Sequence, residues 1–459
     1  MERVLPKTLD YTDVLPLAVE SRARRRTFFP VNGQTFTATG ANIVRIDLSA
    51  DALLDTQHSY LRFTFANKGT ANVNKTCGID YAGGHGFIKR LRIEQSGVVL
   101  EDIASYNRLM GAIVLPCQSG ADHYSEREVT ESIFTKGGSG TMATGMTATA
   151  DLNGDSATQF NGQNNLFTQL ANNSEIDFCI PLNSGLLNSE KLVPLMLMSA
   201  PLTIEIELAG ATEPVCWEDA VAGKDWSWSN VRYIANLIEV GGDVAQQLRM
   251  VQEMSGGVLT LAGQTYRHFT GAVTATTGDQ IVNVPARVKS MKSLFFAQQP
   301  PIAANAHNVS PSGNMKLNEY QLKIGSVVYP PTPVRCGFAD GAIANVSGKR
   351  AESLLELSKA WGSVGSSKGM GQLTGQSYGQ TEDGVCASGS QFSFTPFGLD
   401  LEAFQRVAIE SGVNTADRSL PISLILNFAQ APTAGSVDAF VLADALFYIN
   451  ADGSMSVSV

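Results

Sequence analysis

Short runs of alternating apolar residues follow one another in the same order twice along this chain. A repeated order of strands restricts the fold more than any single motif does. "NIVRIDL" (42–48) then "SYLRFTFA" (59–66) correspond to "QIVNVPA" (280–286) then "SLFFAQ" (293–298). "RLRIEQSGVVLEDIASYNRLMGA" (90–112) corresponds to "QLKIGSVVYPPTP" (321–333) with "ESLLELSKAWG" (352–362). "TIEIEL" (203–208) corresponds to "ISLILNF" (422–428), and "NVRYIANLIEV" (230–240) to "FVLADALFYI" (440–449). Runs such as "FIKRLRIE" (87–94), "EIDFCIPL" (175–182), "YQLKIGS" (320–326) and "QFSFTPF" (391–397) add further strands between Gly, Asn, Pro and Ser clusters. Each half therefore reads as one antiparallel sandwich.

Helical spacing is confined to three stretches. In "LEDIASYNRLMGAIVL" (100–115), Leu100, Ile103, Tyr106, Met110 and Ile113 fall at helical intervals, with Glu101 and Asp102 at the dipole's positive end. "DVAQQLRMVQEMSGG" (243–257) stops at paired glycines and joins the halves. "AESLLELSKAWG" (351–362) is the third. Each half also carries a long Gly, Ser, Thr and Asn tract, at 135–165 and 362–384. Loops of that length inside a compact domain are functional or flexible. Their matching positions predict projection from one side; two independent insertions are the alternative.

Composition narrows the function classes. Charged residues are 17% of the 459, against roughly 25% in ordinary soluble domains. A surface so poor in charge is rich in small polar groups or covered by neighbouring subunits. The net charge of −10 argues against a protein whose main work is neutralising phosphates. The six cysteines (77, 117, 179, 216, 336, 386) are scattered, with no Cys-x-x-Cys pair, which predicts reduced thiols in an intracellular setting and no zinc. No run approaches the roughly 20 apolar residues of a membrane span, and no signal-like apolar region opens the chain.

The segments "LLDTQHSYLRFTFAN", "GHGFIKRLRIEQSGVVLEDIASYNRL", "FCIPLNSGLL", "VPLMLMSAPLTIEIEL", "GQTYRHF", "LKIGSVVYPPTPV" and "LLELSKAWG" occur in that order. In order and in kind they resemble the double jelly-roll major capsid proteins of the PRD1/adenovirus-like lineage. The resemblance is greatest to those of small double-stranded DNA viruses of protists, the polinton-like viruses and virophages. It implies an all-β chain of two tandem eight-stranded antiparallel jelly-roll sandwiches, with a few short helices and long projecting loops. The expected divisions are an N-terminal arm (1–26), a first jelly roll (27–241), a connecting helix (242–257) and a second jelly roll (258–459). It further implies a non-enzymatic virion subunit without metal or cofactor. Such a subunit forms homotrimers that are pseudo-hexagonal capsomers, tiles an icosahedral shell with penton and minor capsid proteins, and is assembled inside the host cell.

Several residues invite sharper readings. Arg22, Arg24, Arg25 and Arg26 in "SRARRRTFFP" stand just before the first strand. They form either an inner-face arm touching packaged DNA or an internal membrane, or an exposed basic leader. Trp217, Trp226 and Trp228 in "CWEDAVAGKDWSW" either form a subunit contact or cap the first sandwich's core; a sugar-stacking platform is a further reading. Glu205 and Glu207 share one strand face at about 7 Å, near the spacing of glycosidase carboxylates. The duplicate half places Ser423 and Ile425 at those positions, which favours an outer sheet face over an acid pair. "YAGGHGFI" (81–88) lacks the Gly-Lys-Ser/Thr ending and leads into a strand, so it is a turn. His85 sits in it, and His58, His123, His268 and His307 show no ligand spacing. Tyr60, Arg62, Arg90, Arg92, Asp102, Tyr106 and Asn107 are expected to fix strand and helix packing, and Pro330 and Pro331 to mark a sheet edge or a wall between the sandwiches. A virion spike that binds a receptor, and a carbohydrate-binding sandwich, are the competing functions.

Overall fold

A computed structural model describes residues 21–69, 77–117, 127, 129–131, 170, 172–189, 191–217, 223–299, 309–338, 350–362, 373, 378–379, 394–402, 412–417 and 419–459. The strands of the first half are β1 (Ser21–Phe28), β2 (Phe36–Thr37), β3 (Ile43–Leu48), β4 (Leu53–Asn67), β5 (Cys77–Ile79), β6 (Ile88–Gln95), β7 (Val98–Ala104), β8 (Glu175–Ile180), β9 (Val193–Pro194), β10 (Leu202–Leu208), β11 (Val215–Trp217) and β12 (Trp226–Val240). Those of the second half are β13 (Val258–Val273), β14 (Gly278–Asn283), β15 (Met291–Gln299), β16 (Glu319–Ile324), β17 (Val327–Arg335), β18 (Phe397–Asp400), β19 (Ile422–Phe428), β20 (Gly435–Asn450) and β21 (Met455–Ser458). The helices are α1 (Tyr106–Arg108), which runs through a π-helical stretch, Leu109–Val114, into α2 (Leu115–Cys117), then α3 (Gly242–Met254) and α4 (Ala351–Ala360).

Four antiparallel sheets carry the fold, and their strand orders match in pairs. Sheet I is β1-β12-β4-β8, with β2 on β12 and β9 on β4, and sheet II is β3-β10-β6-β7. Sheet III is β13-β20-β15-β18, with β21 on β20, and sheet IV is β14-β19-β16-β17. A two-stranded ribbon, β5 with β11, completes the first half. The alternation that marked the strands is what buries them. Leu202, Ile204, Ile206 and Leu208 of β10 are buried, and Ile422, Leu424, Leu426 and Phe428 of β19 do the same in sheet IV. The chain is thus two tandem sandwiches of matching topology.

The stretch 100–115 differs from its expectation. The helix foreseen over 100–115 begins only at Tyr106, because Val98–Ala104 pairs with β6 as a hairpin. Ser96 (φ 49°) and Gly97 (φ 80°) make the left-handed two-residue turn that such a hairpin requires. Ile93 faces Glu101 while Glu94 faces Val99, so Leu100 is the extra residue of a bulge. The bulge turns Leu100 and Glu101 both inward, and the inward set 100, 101, 103 and 106 then imitates helical spacing. At the end of α3 and along β17 the local signals act as foreseen. Gly256 and Gly257, both at positive φ, end α3, and Pro330, Pro331 and Pro333 lie on β17, the edge of sheet IV. The tract at 135–165, most of that at 362–384 and residues 1–20 lie outside the described residues.

The second sandwich has a core of its own, which includes Leu294, Phe296, Tyr320, Leu322, Phe397, Leu424 and Val441. The core of the first, around Phe63, Phe65, Phe87, Phe178 and Trp228, continues across the junction to Phe295, Phe440, Phe447 and Ile449 on the outer side of sheet III. Full burial of each such side chain contributes roughly 1.5–3 kcal/mol. The halves are therefore layers of one body, with sheet III in its middle.

Candidate assembly surfaces

Buried polar groups bolt the two sandwiches together. At the end of β6, Gln95 donates to the carbonyls of Ala200 (3.2 Å) and Gly453 (3.1 Å) and accepts from the Met455 amide (2.6 Å). Glu101, turned inward by the bulge, accepts from the Ser184 hydroxyl (2.5 Å), the Gly185 amide (2.9 Å) and the Thr265 hydroxyl of β13. Burial raises the pKa of Glu101, and these donors offset part of that effect. Beside it, the loop 183–189 lies directly on β13. A Cβ at Gly263 would sit 2.5 Å from the Gly185 carbonyl oxygen, so only glycine fits.

Charge crosses the junction at α1. The buried Arg108 donates through Nε to Asp438 Oδ2 (3.2 Å) and through Nη1 to the carbonyls of Val309 (2.6 Å) and Pro311 (2.9 Å). The other oxygen of Asp438 meets His268 Nε2 at 2.9 Å. Burial works against the Asp438 carboxylate, but the His268 hydrogen bond and the Arg108 charge outweigh it, and the group is held below the usual carboxylate range. Nearby, the Ser310 hydroxyl and the Val309 amide donate to Asp80. An array of buried, mutually bonded groups of this kind fixes one angle between the two sandwiches.

The outward faces explain the carboxylate pair. Glu205 on β10 is clamped by Arg45 of β3 (2.6 Å) and Arg92 of β6 (3.4 Å), and Arg45 also reaches Glu94 (3.8 Å). Glu207 lies in register between Ile43 and Arg90, and Arg90 makes a two-pronged contact with Asp102 (2.6 and 2.5 Å). This is a charge lattice across the outer side of sheet II. On sheet IV the same positions hold Asp279 with Asn427 (2.6 Å), Asn283 with Ser423 (3.5 Å), and an exposed Ile281.

The remaining predicted residues separate into surface and core. Arg22, Arg24, Arg25 and Arg26 lie in β1, hydrogen-bonded to β12 in sheet I, rather than in a leader ahead of the first strand. All four are exposed. Arg24 meets Glu239 (3.3 Å), Arg25 donates to the Tyr60 hydroxyl (3.2 Å), and Arg26 covers the Phe28 ring. Trp217, Trp226 and Trp228 are each at most 1% exposed, so they fill the first sandwich and form no subunit contact or sugar platform. Trp228 stacks on Phe63 at 3.8 Å, Trp226 meets Phe87 edge-on, and the Trp217 indole donates to the Ala211 carbonyl. The interface reading fails because the run 226–228 is the start of a central strand, not a connecting loop. Tyr106 joins His85 Nδ1 (3.1 Å) to the Asn183 amide (2.9 Å), and Asn107 donates to Glu213 (2.9 Å). Gly83–Phe87 is a 3-10 turn, and the Gly84 amide donates to Glu131 rather than facing an open cradle. His123 and His307 lie outside the described residues, among which no cluster of three metal-ligating side chains occurs.

The junction itself was missed by sequence reasoning. Arg108 had one visible signal, a lone charge at the head of the apolar run "LMGAIVLPC" (109–117). Asp438, His268, Glu101 and Gln95 had none, because their partners are fixed only by packing of one half on the other.

No family model matches the chain, and no curated protein sequence matches it. Solved structures do. The PBCV-1 virus capsid aligns at TM-score 0.58 and 10% identity, over 98% of this chain and 99% of its own. The Faustovirus major capsid protein aligns at 0.55 and 9%, over 98% and 93%. A chain of the Sputnik virophage aligns at 0.56 and 10%, over 100% and 93%. Full-length agreement at such low identity is agreement of fold: the chain has the double jelly-roll architecture of these capsid structures.

Proposed function

We propose that this chain is the major capsid subunit of an icosahedral double-stranded DNA virus. Three copies form a pseudo-hexagonal capsomer of six sandwiches, and capsomers tile the shell of the virion with penton and minor capsid proteins. Residues 27–241 and 258–459 serve as its two jelly rolls, joined by the helix within 242–257, and the end of the arm, from Ser21, adds to sheet I of the first as β1. The observation that carries the reading is the buried junction. Arg108, Asp438, Glu101 and Gln95 make two duplicated sandwiches into one rigid tile, which repeated lateral assembly requires and a flexible two-domain binder does not. The role is structural, without catalysis. Glu205, tied to two arginines on a flat sheet face, supports no glycosidase reading.

The basic strand β1 supports an inner-face role. Among the described residues β1 pairs only with β12, and it carries four exposed arginines. In the shell it meets phosphate groups of packaged DNA or of an internal membrane. Light scattering and negative-stain microscopy of the purified chain test the main reading. Trimers with six-fold-like outline are expected. A chain that stays monomeric under every condition, and is no abundant component of particles, would refute it.

A further inference from the structure

Where the loop 183–189 crosses β13, a cavity of about 470 Å³ lies between the halves. That is the size of a small-molecule site. One wall is the loop with Lys191, from the first half, and the other is β13 with its neighbour β20, from the second. Asn183, Asn188, Lys191, Gln264, Tyr266 and Asp444 line it, and no aliphatic side chain larger than alanine does. Asn188, Lys191 and Gln264 are exposed at the mouth, whereas Asp444 is buried. The chain itself holds both walls in place. Glu101 fixes Ser184 and Gly185, and Asn188 Nδ2 donates to Asn183 Oδ1 at 3.1 Å. Asp444 accepts from the Ser290 hydroxyl at 2.6 Å and lies 3.7 Å from Lys292, which is paired with Glu402 at 2.8 Å. The Gln264 amide, the Tyr266 hydroxyl and the Lys191 ammonium, by contrast, have no partner among the described residues.

We propose that this cavity binds a neutral carbohydrate, one or two sugar residues held between the two sandwiches. A sugar hydroxyl both donates and accepts. It therefore suits a lining that mixes donors (Lys191, Gln264, Tyr266) with acceptors (Asn188, Gln264, Asp444). The Tyr266 ring supplies the one flat apolar wall, on which the C–H face of a sugar packs. A fatty chain finds no aliphatic wall there, and a multiply charged anion meets Asp444. Lys191 and Asp444 carry opposite signs, which favours a ligand without net charge. Because the walls belong to different halves, a bound sugar bridges the junction that Arg108 and Asp438 already hold. The site is complete in a single chain, so it does not depend on assembly.

The test uses the full chain, with methyl glucoside, methyl galactoside and N-acetylglucosamine as probes in saturation-transfer NMR and thermal unfolding. At least one of them should bind saturably, with a dissociation constant of about a millimolar, and should raise the melting temperature. Gln264→Ala and Asn188→Ala should each weaken that binding about 3–10-fold, as loss of one hydrogen bond does. Both side chains are exposed, so the unliganded variants should melt like the wild type. No saturable binding of any probe, or binding unchanged in both variants, would overturn the site. Binding of inorganic phosphate in place of every sugar would overturn the ligand class. Each of these results leaves the capsid reading standing, which the assembly experiment decides separately.

Discussion

Replacing Arg108 by methionine removes a charge from the junction while keeping most of the side chain's apolar length. The guanidinium side chain is 6% exposed, and its acceptors, Asp438 and the carbonyls of Val309 and Pro311, all belong to the second half. Breaking one side of a buried ion pair costs about 3–5 kcal/mol. Two carbonyls that lose their donor add to that, and His268, still bonded to Asp438, offsets part. The net loss is about 4 kcal/mol. With an unfolding entropy of about 2.1 cal/mol/K per residue, that lowers the melting temperature by about 4 °C if the whole chain melts as one unit. The fall is about 8 °C if only a half-sized unit melts. Calorimetry with urea unfolding measures both quantities, and Asp438→Leu, alone and combined with Arg108→Met, completes a double-mutant cycle. The double variant should be more stable than the sum of the singles predicts, because it leaves no orphaned charge. A loss under about 1 kcal/mol for Arg108→Met, or strict additivity, would refute the view that this pair holds the halves together.

The same junction sets an acid limit. Because the Asp438 carboxyl is held below its unfolded value, its contribution is present above about pH 4 and is lost as pH falls through the folded value. The stability gap between wild type and Asp438→Asn should therefore shrink on acidification, as urea unfolding at stepped pH would show; a constant gap contradicts the shift. Gly263→Ala should lower stability by about 1–3 kcal/mol, since the added methyl meets the Gly185 carbonyl; an unchanged urea midpoint would contradict that close approach. Trp228→Ala should cost about 3–5 kcal/mol in the monomer itself; a variant that melts normally but fails to trimerise would return the residue to an interface. Glu205→Gln should cost under about 1 kcal/mol, being an outer-face ion pair. Any sugar-cleaving activity that it abolished would reopen the glycosidase reading.

The strands were legible because burial on one side imprints a period of two, and that imprint survives in "LTIEIEL" and "ISLILNF" without any partner in view. The bulge at Leu100 was not, since one inserted residue converts a strand's parity into something close to a helix's. The tryptophans misled for a related reason. Trp226 and Trp228 follow a Gly-Lys-Asp turn, and nothing local states that β12 already begins at Trp226.

The difference between the two side faces was written in the chain all along. "SYLRFTFA" alternates, with Tyr60, Arg62 and Thr64 turned away from Leu61, Phe63 and Phe65; "SLFFAQ", its counterpart, has lost the alternation. A strand apolar on both sides must be covered on both sides. Here the first half covers it over β13, and α4 with Trp361, edge-on to Phe295, covers it over β15 and β18. That argument places sheet III in the middle and leaves sheet I at one end.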